Sequence, residues 1–274
     1  MFYLIFMAFE RSYLHLIILC GIVLVYIMKN SAFKDGNPTC DNFILNVYLY
    51  LAFSIVAVGL SSYFYNYIFN PPNARHKYMT TFETFNTSGL GLYIILAYLI
   101  CFGLILYLSL SESFGNKNFK FIHIIWLLFL FLISSGVYPY FKSIEFKDVV
   151  EDALLITGSI FAIMSSIVFM FPTFFEKTYN FMTMGLFISL LVIIFFELGN
   201  LIFNRDPNSL IKNFKITSYI VIVLFTLFVS YDTQRMIMLK EMCSSLPNYP
   251  KFSLDFFLDV LNIFKRIVFL KSTD

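Results

Sequence analysis

Residues 216–239 read ITSYIVIVLFTLFVSYDTQRMIML. As a helix rising 1.5 Å per residue this stretch covers about 36 Å, more than the ~30 Å hydrocarbon core of a bilayer. It shows no alternation of apolar and polar residues and is twice the length of an outer-membrane strand, so the reading is a membrane-spanning helix. It also carries Asp232. An ionisable group at membrane depth is costly enough to count as a functional candidate by default.

The rest of the chain repeats the apolar character. Of 274 residues, 59% are hydrophobic and only 13% are Asp, Glu, Lys or Arg, about half the usual share of a soluble domain. So few charges cannot make a polar skin, which excludes a soluble globule and points to the bilayer as solvent. With 19 basic and 17 acidic residues the net charge is +2, too small and too evenly spread to recognise nucleic acid. The four cysteines, Cys20, Cys40, Cys101 and Cys243, never fall within two or three residues of one another. That spacing excludes redox CxxC pairs and common zinc sites, and all four are read as small buried hydrophobes.

Seven further apolar stretches, roughly 3–28, 43–69, 88–110, 121–141, 153–171, 181–203 and 252–270, join 216–239 as candidate spans. The expected fold is an all-α membrane protein, a bundle of six to eight transmembrane helices with a central C-terminal hairpin. The breaks, including Asn70–Lys77, Pro172–Lys177, Asn204–Lys215 and Lys240–Lys251, carry the Pro and polar residues of loops and are too short for a soluble domain. Function must therefore lie among the helices. Residues 1–41 form an extra N-terminal hydrophobic segment and loop, and 42–274 a single membrane domain. The first stretch has no basic start and no small-residue cleavage site, so it is kept as a membrane helix or anchor rather than a signal peptide. Gly158, Ala162 and Ser166 recur every four residues, a face on which a neighbouring helix can pack closely. Loop charge leaves orientation open. If all eight stretches cross, eleven basic residues lie on one side and eight on the other, and the bias reverses if 252–270 dips in and returns.

Intramembrane charges gather in the last two stretches. Asp232 lies eight residues before Lys240 and Asp259 eight after Lys251, so an antiparallel hairpin would set both carboxylates about 12 Å in. On the last helix Asp255, Asp259, Asn262 and Arg266 fall on one face, while Phe256, Phe257, Val260 and Phe264 point elsewhere. Two carboxylates meeting in a poorly solvated site share a proton, which makes a pH-sensitive latch. Once both are ionised, the pair can take a hard cation such as Ca²⁺ through oxygen ligands. The bland alternative is that Asp259 pairs with Arg266 or caps backbone. Glu197, near the end of its stretch, is read as an accessory acid or as snorkelling to the interface.

Five pieces together resemble the Bax inhibitor-1 family: Asn46-Val47-Tyr48; Asp152 to Thr157; Leu198-Gly199-Asn200; Tyr231-Asp232-Thr233-Gln234; and Asp255-Phe-Phe-Leu-Asp259 followed by Phe264-Lys265-Arg266. Order and spacing fit from about 43 to 270. The resemblance implies a six- or seven-helix membrane protein, usually of the endoplasmic reticulum, that leaks Ca²⁺ in a pH-dependent way and suppresses cell death. By match to its motif, Asp232 and Asp259 are the aspartate pair, transient Ca²⁺ ligands, with Asp255 beside the ion path. No cofactor is implied beyond Ca²⁺ as permeant ion. The partners are membrane lipid and other membrane proteins, Bcl-2-type regulators among them. Two departures stand out: the extra segment 1–41, and the absence from 88–110 of the basic residue with which some relatives hold the pair. An intramembrane aspartyl protease would need Gly-x-Gly-Asp at the second aspartate, where Phe257-Leu258-Asp259 stands, so no enzyme is expected. The remaining alternative is a membrane interaction protein that conducts nothing.

Overall fold

The computed structural model describes residues 2–69, 90–136, 147–203 and 206–273. Among them are eight helices: α1 (Phe2–Ala32), α2 (Phe43–Phe69), α3 (Leu90–Leu110), α4 (Phe119–Ser134), α5 (Lys147–Met170), α6 (Pro172–Phe203), α7 (Pro207–Met242) and α8 (Tyr249–Thr273). Five of them, α1, α2, α5, α6 and α7, are long and apolar enough to cross a membrane, and α3 and α4 hold shorter apolar segments. The all-α membrane fold read from the sequence is the fold observed.

Several helices start earlier than the apolar stretches, and proline is the reason. Pro172 and Pro207 are the first residues of α6 and α7 rather than loop punctuation. Proline suits that position because its missing N–H would have no intrahelical acceptor there. Asp206 caps α7, its carboxylate accepting from the N–H groups of Asn208 and Ser209 at 3.2 Å. Asn248 caps α8, its Oδ1 accepting from Lys251 N–H at 3.2 Å. The connection between α7 and α8 thus shrinks to residues 243–248.

The chain divides into two compact units. Unit one holds residues 1–144 and 243–254, so the N-terminal segment is part of it. Here α1 packs on α2, α2 on α4 and α3 on α4. Between α1 and α2 a short antiparallel hairpin pairs Phe33 with Pro38 (β1, Phe33–Lys34; β2, Asn37–Pro38). Asp35 and Gly36 turn it at φ of 51° and 79°, the left-handed backbone that a two-residue hairpin turn demands. Unit two holds residues 145–242 and 255–274, with α6 and α5 each packed on α7. Only 6% of the Pro172–Asn200 window of α6 is buried, and Phe181, Phe195 and Ile202 stand exposed, as a lipid-facing helix requires.

The cysteines depart from expectation. Cys40 and Cys243, 203 residues apart, form a disulfide, whereas Cys101, buried, and Cys20, exposed, stay outside it as thiols. No local spacing could have signalled a partner so distant.

Candidate functional site

Four consecutive residues of α7 organise unit two, because steps of 100° aim them in four directions. Tyr231 stacks on Tyr179 of α6 with ring centroids 4.8 Å apart, and the Tyr179 hydroxyl donates to Tyr231 Oη at 3.0 Å. Thr233 donates to Val229 O at 2.7 Å, which leaves its oxygen to accept from Ser165 of α5 at 3.3 Å. Gln234 is buried. Asp232, 8% exposed, and Asp259 of α8, 4% exposed, are buried carboxyl groups close enough for the charge on one to bear on the other. Where two such carboxyl groups meet, a hydrogen bond between them needs a proton on one, because an ionised carboxylate only accepts. Ten residues separate Asp232 from the end of α7, and ten separate Asp259 from the start of α8, or about 15 Å along each axis.

A cation stands one turn from Asp232. Arg235 Nη1 donates to Asp255 Oδ2 at 2.8 Å, with both side chains about one third exposed. The sequence places Asp255 beside the ion path, and the structure adds Arg235 as its counter-charge. The i, i+3 spacing from Asp232 was the available signal, since such residues share a helix face. No basic residue from α3 is needed to supply positive charge here.

The polar face foreseen on α8 is partly broken up. Arg266 pairs with Glu197 of α6, Nη2 to Oε1 at 2.7 Å, and not with Asp259. Glu197 accordingly turns inward instead of snorkelling, because a nearby guanidinium offers a better partner than the interface. Asn262 donates one amide N–H to Leu258 O of its own helix at 2.9 Å. Phe256, Phe257 and Phe264 are buried apolar neighbours. Lys271 pairs with Asp152, and Lys215 Nζ donates to Thr273 O at 2.7 Å, tying the end of α8 to α5 and α7.

The small-residue face is the clearest correction. Gly158, Ala162 and Ser166 are exposed, and a Cβ built on Gly158 would meet nothing within 4 Å. The buried face of α5, which carries Ala153, Thr157, Ser165 and Val168, is the one turned to the unit interior.

Among the described residues no group of three or more His, Cys, Asp or Glu could hold a metal ion. Four buried oxygens of unit two have no hydrogen-bond partner among the described residues, Asp259 Oδ2, Gln234 Oε1, Thr157 Oγ1 and Glu197 Oε1, the last of which still meets Arg266 as an ion pair. Orphaned buried acceptors are rare in folded proteins and call for a ligand, a water or an ion to explain them.

No curated protein matches the chain. The family described as inhibitor of apoptosis-promoting Bax1 matches residues 40–271, from the cysteine before α2 to the last turn of α8, and so takes in every residue of the site just described. The chain belongs to the Bax inhibitor-1 family.

Proposed function

We propose that the protein is a pH-sensitive Ca²⁺ leak path of an intracellular membrane, the endoplasmic reticulum, that modulates calcium stores. Family membership supports the broader role in suppressing cell death. The observation that carries the leak reading is the buried Asp232–Asp259 pair with one carboxylate oxygen unpartnered. A hard cation in transit needs oxygen ligands that bind without trapping it. One proton holds the two carboxylates together. Its loss leaves two negative charges side by side, which repel and attract a divalent cation in the same step. Arg235, bound to Asp255, would keep the approach neutral until that pair separates. The chemistry calls for no catalytic residue. Ca²⁺ efflux from liposomes holding only this protein is the test, with Asp259→Asn expected to lower it while the protein still inserts and folds.

A second reading, a non-conducting membrane protein that binds death regulators, rests on the exposed Gly158, Ala162 and Ser166 face. Such a stripe admits a helix from another protein at close range. Flux that survives Asp259→Asn unchanged would favour it.

A further inference from the structure

Unit one carries a second polar assembly, built from the three segments that join α1 to α2, α3 to α4 and α7 to α8. The Cys40–Cys243 disulfide links the first to the third, with Cα atoms 5.9 Å apart. The second is stitched to the third by backbone: Gly115 N–H donates to Ser245 O, and Asn248 N–H to Ser113 O, both at 3.0 Å. Asn248 Nδ2 adds bonds to Ser111 Oγ at 2.9 Å and Glu112 O at 3.0 Å, and Lys251 Nζ donates to Ser111 O at 2.6 Å. Asn46, fully buried, closes the first segment by donating to Ser31 O, Asp41 O and Tyr249 Oη while accepting from Ser31 Oγ. Tyr249 in turn donates to Thr39 O. The rings of Phe43, Phe114 and Phe252 lie together, with centroids 5.2 to 6.4 Å apart.

A disulfide of this kind persists where thiols are oxidised and is lost to the reductants of the cytosol. We propose that the Cys40–Cys243 bond seals these three segments into a cap on the oxidising face of the membrane, with the start of α1 and the end of α8 on the reducing face. Chain order agrees. Among the described residues two helices, α2 and α3, separate the first segment from the second, and four, α4 to α7, separate the second from the third. Even numbers of crossings return the chain to one side. Loop charge, undecided by itself, falls into line: eleven of the nineteen Lys and Arg then lie toward the reducing face, where positive charge accumulates. It also requires α8 to cross rather than re-enter, so that its charges run from Asp255 through Asp259 to Arg266 between the oxidising and the reducing face. The sidedness holds whether or not the protein conducts.

The test uses the full chain in microsomal vesicles sealed with the cytosolic face outward. After denaturation, a maleimide-linked polymer should add to two thiols per chain without reductant, Cys20 and Cys101, and to four with it. Four without reductant would overturn the cap. In a Cys20→Ser background, a membrane-impermeant maleimide should reach Ser272→Cys in intact vesicles and Lys117→Cys only after permeabilisation. Both positions are exposed, so each can report. Equal access at both, or the reverse pattern, would overturn the sidedness.

Discussion

Asn46 and Asp259 are both buried polar side chains in an apolar protein, and they are satisfied very differently. Asn46 uses its amide and its carbonyl on four partners in unit one. Asp259 in unit two leaves one oxygen without any among the described residues. A fully bonded buried group fixes one packing of the chain, whereas a half-bonded one keeps binding capacity in reserve at a cost in stability. On that contrast unit one is built to hold and unit two to respond.

The largest stability effect should come from the saturated region. Asn46→Ala removes four hydrogen bonds of a fully buried side chain, a loss of about 3 kcal/mol at about 1 kcal/mol each, with part recovered where water reaches half-buried Ser31 and exposed Asp41, read as lowered thermal stability in detergent. An equal loss from Asp259→Asn would erase the contrast. Glu197→Gln ranks next. It leaves the Arg266 guanidinium, about one fifth exposed, without its counter-charge, at about 1–2 kcal/mol. Arg235→Gln should cost only about 0.5 kcal/mol, because its partner Asp255 is one third exposed and water screens the pair. Its flux should nevertheless rise, since the cation that neutralises Asp255 is gone. Asp259→Asn should move stability least, within about 0.5 kcal/mol, because an amide can donate to Asp232 where the proton did.

The placement of Asp232 and Asp259 along their helices obeys local rules. The equal distance of Asp232 and Asp259 from their connection is a property of two helices and a short turn, and it survived when that turn proved shorter than the polar residues suggested. Pro172 and Pro207 misled because proline breaks a helix interior and equally well begins a helix, and only the backbone tells which. Arg235 was within reach of the i, i+3 rule but sat in a stretch read for its apolar length. The Cys40–Cys243 bond and the Glu197–Arg266 pair join residues far apart in sequence, so periodicity carries no trace of them. The Gly158 stripe was visible as a pattern, but which face of α5 turns inward depends on its neighbours, and Ala153, Thr157, Ser165 and Val168 took that role.

The central claim is that unit two responds through the aspartate pair, and a pH series of Ca²⁺ flux tests it most directly. In the proposed reading a shared proton would hold α7 and α8 together and empty the site of negative charge, and both effects would close the path in acid. Reconstituted wild type should therefore leak more as pH rises between about 5 and 8, the range in which a shared carboxyl proton titrates. Asp232→Asn should flatten that profile. A variant that keeps the wild-type pH dependence, or a wild type whose leak grows in acid, would contradict the assignment of the Asp232–Asp259 pair as sensor and gate.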